Sequence, residues 1–96
     1  MSVSVMAVDE INSLATIVYH DTEKGIENEY QATFKIIFNG NRLLARSVGP
    51  AYHLESEISR IKIPKEIMDD MIWLAGLVFV KPIVQGRNVQ QLSLEL

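Results

Sequence analysis

YQATFKIIFNGNRLLARSV, residues 30–48, decides how this chain folds. Tyr30, Ala32, Phe34, Ile36 and Phe38 alternate with Gln31, Thr33, Lys35, Ile37 and Asn39. Successive side chains of a strand point to opposite faces, so a period of two gathers one apolar face. Asn39-Gly40 tolerates the positive φ that a two-residue hairpin turn needs. A loop at that dipeptide sets Phe38 against Asn41, Ile36 against Leu43 and Phe34 against Ala45. The return strand, Asn41–Val48, adds Leu43 and Ala45 to the core face. Its other face carries Arg42, Leu44, Arg46 and Val48.

On the N-terminal side, Leu14–His20 reads as a third strand. A two-residue turn near Lys24-Gly25 pairs Tyr19 with Tyr30, Ile17 with Ala32 and Ala15 with Phe34. This register places apolar residues on the Phe34 face, as a buried face requires. The connection holds Asp21, Glu23, Glu27 and Glu29 against Lys24, and reads as acidic, mobile and solvated. Within Ser4–Asn12, Ala7, Ile11 and Leu14 follow helical spacing, and Ser4 can cap the start, so a short helix is expected.

On the C-terminal side, Gly49-Pro50 is expected to end the sheet. Ala51, Leu54, Ile58 and Ile61 then fit a helix over about Ala51–Ser59. A strand over Ser56–Ile63 is the competing reading, because Ile63 precedes Pro64 and must be extended. Pro64 opens the main helix, expected over Lys65–Leu77, with Glu66, Asp69 and Asp70 near its positive end. Ile67, Met71, Leu74 and Val78 form one stripe, and Met68, Ile72, Ala75 and Phe79 a second. A helix apolar around so much of its circumference is deeply buried or part of an interface. Lys81-Pro82 is expected to stop it. Gln85–Asn88 is turn-rich, and Val89–Leu96 alternates as a half-buried terminal strand.

Ninety-six residues imply a single domain, 1–96, of α+β class: a three-stranded antiparallel meander, one main helix packed on it, a short N-terminal helix and a C-terminal strand. The absence of cysteine excludes disulfide, thiolate-metal and thiol-nucleophile chemistry and fits a reducing, cytoplasmic setting. A net charge of −3 argues against coating nucleic acid by bulk charge, so direct DNA binding is disfavoured. The start lacks a signal-peptide pattern. The longest apolar run, Met71–Val80, is half of the roughly 20 residues that span a bilayer.

No motif points to catalysis, a metal or a cofactor. His20 is expected opposite Glu29, an ordinary surface pair without convergent ligands. His53 has no placed partner. Asp69-Asp70 diverge by about 100° on a helix and share no ligand. The acidic stretch lacks calcium-loop spacing, and no phosphate loop, nucleophile elbow or zinc helix occurs. Binding surfaces are better supported. Lys35, Arg42 and Arg46 share a sheet face and could meet phosphates, or could simply cover apolar surface with their stems. Arg60, Lys62 and Lys65 form a second basic cluster. Asp21, Glu23, Glu27 and Glu29 offer an acidic contact. Trp73, Leu77 and Phe79 offer an apolar one, which could also serve a homodimer.

Arg60-Ile61-Lys62-Ile63-Pro64-Lys65-Glu66-Ile67 resembles the strand-to-helix passage of swapped-hairpin DNA-binding antitoxins and regulators. The resemblance implies a strand-exchanged dimer with a basic edge on DNA. Ser59 stands where that family usually has glycine, and Tyr52–Glu57 is acidic where its arginine-bearing contact segment falls. The whole format, one small domain without cysteine or catalytic motif, is similar to that of small phage-encoded anti-CRISPR inhibitors. That resemblance implies a stoichiometric inhibitor of a host protein or protein–RNA complex, without enzymatic activity. A dimeric DNA-binding regulator is the alternative.

Overall fold

The computed structural model describes residues 2–84 and 93–94. Five strands form an antiparallel meander in chain order: β1 (Ser2–Asp9), β2 (Leu14–Glu23), β3 (Ile26–Asn39), β4 (Arg42–His53) and β5 (Ser56–Ile58). A 3-10 turn, Arg60–Lys62, leads through Pro64 into one helix, α1 (Lys65–Val84). A short strand, β6 (Ser93–Leu94), pairs in parallel with Arg42–Leu43. The α+β class stands, with five antiparallel strands in place of three.

The two central hairpins show how turn chemistry sets register. At Lys24-Gly25 both residues have positive φ, 53° and 77°, as a type I′ turn demands. Tyr19 faces Tyr30, Ile17 faces Ala32 and Ala15 faces Phe34, the expected pairing. The other hairpin differs. Asn39 pairs with Arg42, so the loop residues are Gly40-Asn41. Positive φ falls on Gly40 alone, the requirement of a turn with glycine first. Phe38 therefore faces Leu43, Ile36 faces Ala45 and Phe34 faces Ser47, two residues from the expected register. A displacement of two returns every side chain to its expected face, whereas one would invert them all.

Several expectations are corrected. Ser4–Asn12 is no helix: Ser2–Asp9 is an edge strand on β2, where Val3, Ser4 and Val5 pair with Tyr19, Val18 and Ile17. A partner edge outweighed local helical spacing, and β-branched valines suit the pleat. The acidic connection is not a loose loop, because Asp21, Glu23, Glu27 and Glu29 lie within the paired ends of β2 and β3. Gly49-Pro50 does not end the sheet. β4 runs through both residues, with Gly49 at φ 69° and a register shift opposite Gln31–Thr33. Extra residues are thereby absorbed as a bulge. The helix over Ala51–Ser59 is absent: Ala51, Tyr52 and His53 instead pair with Ile58, Glu57 and Ser56. Helix α1 continues past Pro82 to Val84. The turn at Gln85–Asn88 and most of the strand over Val89–Leu96 lie outside the described residues.

The helix covers one face of the sheet. That inner face alternates large and small side chains across strands: Phe34 stands between Ala15 and Ser47, Ile17 opposes Ala32, and Ile36 opposes Ala45. Such alternation leaves the relief into which helix side chains interdigitate. Met71, Ala75 and Gly76 are the buried seam of α1, flanked by Ile67, Met68, Ile72, Leu74 and Phe79.

Tyr19 closes one end of this core. Burial, and secondarily the charges of Asp21 and Asp70, push its phenol above the usual tyrosine value. Folding thus favours the neutral phenol. That contribution is complete below about pH 10, the unfolded value, and is lost as pH rises through the raised folded-state value. A tyrosinate absorbance titration should therefore carry a late contribution from Tyr19. Tyr19→Phe should remove that amplitude; a high-pH limb unchanged by the substitution refutes this assignment.

Candidate anion-binding groove and cationic sheet face

The expected site residues fall on three surfaces. Alternation from the buried Tyr30, Ala32, Phe34 and Ile36 puts Lys35 on the outer face of the sheet, away from the helix. Arg46 is its direct cross-strand neighbour. Arg42 lies further along the same face, opposite Asn39. Like charges directly opposed on a sheet are destabilising by a fraction of a kcal/mol, on the order of 0.2–1. Neither Lys35 nor Arg46 makes an ion pair among the described residues.

The second basic cluster sits elsewhere. β5 covers the edge of β4 at Ala51–His53, and β6 covers it at Arg42–Leu43. Between them the edge is open among the described residues. The chain then passes back beside this edge through Arg60–Lys62 and Pro64. A groove of about 630 Å³ results, lined by Ala45 and Ser47 of the strand, Arg60, Lys62 and Lys65 as cations, and an apolar floor that includes Met68 and Ile72. Arg60 reaches across it: Nη1 donates to the Ser47 carbonyl at 2.5 Å and approaches Ser47 Oγ at 3.4 Å. Ile61, 86 % exposed, stands at the rim. Cations above an apolar floor suit a ligand that carries carboxylates or phosphates on an apolar frame.

This gathering of charge is local. Residues 35–65 carry six of the nine lysines and arginines but only two of the twelve carboxylates. The net charge of −3 therefore hides a basic middle segment in an acidic chain. The Arg60–Lys62 stretch is a 3-10 turn, not the strand that its sequence resemblance implied.

The remaining candidates are dispersed. Asp21 and Glu23 alternate onto the Tyr19 side of β2, whereas Glu27 and Glu29 take the outer face of β3, so the four do not form one contact. His20 does oppose Glu29, and both border a shallow cleft with Glu27, Leu54, Glu55 and Ser56. His53 proves to be a strand residue with structural partners. Its ring stacks on Tyr30 at 4.4 Å between centroids and 12° between planes. Its Nε2 donates to Asn28 Oδ1. Among the described residues no three histidines or carboxylates gather as metal ligands. Asp69 and Asp70 are exposed on the first turns of α1. The apolar trio separates as well: Trp73 is 53 % exposed, Leu77 is half-buried, and Phe79 packs against the core.

Ser47 and Ile61 were not legible as groove residues. The signal that finds them is the return of the chain past an uncovered strand edge, which only the β4–β5 hairpin creates. No family model, curated protein or solved structure matches this chain. No helix among the described residues is long and apolar enough to cross a membrane.

Proposed function

We propose that this chain is a non-enzymatic binding protein, a stoichiometric inhibitor of anti-CRISPR type that occupies an acidic surface of a host protein or protein–RNA complex. The observation that carries the reading is the groove beside β4, where Arg60, Lys62 and Lys65 surround an apolar floor in a chain of net negative charge. Local cationic charge of this kind steers an acidic partner, while the acidic remainder discourages general attraction to nucleic acid. The open geometry suits a macromolecular surface better than an enclosed small ligand, which is usually buried over most of its area.

Two measurements test this. Immobilised protein should retain a host protein or ribonucleoprotein at fixed stoichiometry, and the triple variant Arg60→Glu, Lys62→Glu, Lys65→Glu should lose it. Generic duplex DNA should bind weakly at physiological salt. Tight DNA binding that falls steeply with salt, as released counterions require, would instead establish the regulator reading. Retention unaffected by the triple variant would remove the groove from the function.

A further inference from the structure

The outer face of the sheet is left uncovered among the described residues, and its charge is ordered along the strands. One end carries Lys35, Arg42 and Arg46 on β3 and β4, with Asp9 two strands away on the edge strand, where its carboxylate accepts from Asn12. The other end carries Glu27 and Glu29, with Glu57 opposite Tyr52 beside them. Between these ends the face is uncharged, with Val18, Thr33 and Val48 half-buried among their neighbours. We infer that this face is the contact between two copies of the chain, stacked so that the cationic end of each lies over the acidic end of the other.

Three observations support that occupant. First, Lys35 and Arg46 are directly opposed like charges without an ion pair among the described residues. An anionic surface laid over them relieves the repulsion. Second, the ends cannot serve each other within one copy. Lys35 and Glu29 are six residues apart on one strand, about 20 Å, and salt at physiological strength screens charge beyond about 8 Å. Third, the face is self-complementary under a twofold axis. An axis perpendicular to the strands, level with Ala32, carries Lys35 of one copy onto Glu29 of the other. An axis along the strands would bring like charges together. The charge order therefore selects one symmetric stacking, the isologous kind that closes at two copies.

The middle of the face suits the contact. Thr16 and Thr33 bond to each other through their hydroxyls at 2.9 Å, so they bring satisfied polar groups to the interface. Two sheets stacked in this way lie about 10 Å apart, with strands within about 30° of each other. The groove beside β4 opens toward the helix side, so the pair presents two grooves. This inference stands independently of what the groove binds.

Sedimentation velocity of the full chain over a range of concentrations provides the test, against a monomer mass of 10.8 kDa. The expected result is a dimer that weakens with added salt. Lys35→Glu alone and Glu29→Lys alone should each raise the dimer dissociation constant at least about tenfold, equivalent to 1.4 kcal/mol. Their combination should restore it, because the reversed charges meet again across the axis. Lys35→Glu converts its like-charge pairing with Arg46 into an opposite one, so its fold should survive, and circular dichroism checks this. Lys35→Gln and Glu29→Gln, which remove each charge without reversing it, should each also weaken the dimer and serve if either reversal unfolds. A wild-type monomer throughout, a dimer indifferent to both reversals, or a double variant no tighter than the singles each overturns the inference. Loss of groove binding without change in mass bears only on the groove.

Discussion

Phe34→Ala is expected to remove about 3–5 kcal/mol of folding free energy, the range for a fully buried aromatic reduced to alanine. Phe34 has no exposed surface. Its neighbours across the sheet, Ala15 and Ser47, are both small, which is what makes room for the ring. With the ring deleted, three small side chains lie in one row and none can extend into the space. The cavity therefore stays open, and the cost belongs at the upper end of the range. Domains of this size are stable by roughly 5–15 kcal/mol. The variant should sit near the limit of folding at physiological temperature. Urea unfolding measures the effect: the midpoint should fall sharply with little change in slope. A loss below about 1 kcal/mol would mean that the ring is not the centre of the inner face.

Met71→Ala is expected to cost about 2–5 kcal/mol, for a related reason on the helix side. Met71 is fully buried, and its companions on the seam, Ala75 and Gly76, are small. It is the long side chain by which the centre of α1 reaches into the relief of the sheet. Replacing it leaves a helix whose central seam consists of methyl groups and bare backbone. Met71→Leu conserves volume and should cost less than about 1.5 kcal/mol. The comparison separates loss of packing from disturbance of the helix itself, since alanine and leucine are both good helix formers. If alanine and leucine prove equally mild in urea, the helix is held by its flanks, and the seam assignment fails.

Residues 14–48 were readable because two independent signals agreed there. The alternation of Tyr30–Phe38 chose the faces, and the apolar set Ala15, Ile17 and Tyr19 chose the partner strand. Turn chemistry placed Lys24-Gly25 correctly. It misplaced the second loop by one residue, because Asn39-Gly40 and Gly40-Asn41 both contain a glycine able to take positive φ. The face assignment survived because strand pairing repeats every two residues. The failures have a common cause. Ser2–Asp9 and Ala51–Ile58 carry short helical spacings that long-range pairing overrode, and neither segment announces its partner. Gly49-Pro50 reads as a terminator, yet a bulge accommodates both on a strand whose other edge is open there.

The candidate sites followed the same division. The positions of Lys35, Arg42 and Arg46 on the outer face were legible from alternation alone. That Arg60, Lys62 and Lys65 border an uncovered strand edge was not, since it depends on the β4–β5 hairpin. His53 was read as lacking a partner because the bulge that brings it over Tyr30 has no counterpart in simple counting.

The order of elements along the chain has a consequence for biosynthesis. Every strand of the meander precedes α1, so the ribosome delivers the greasy side of the sheet before the segment that shields it. At about 5–20 residues per second, that surface waits a few seconds for its cover. A messenger cut short before the codon for Lys65 would yield a sheet with its aromatic side bare, a natural client for holding chaperones and a seed for clumping.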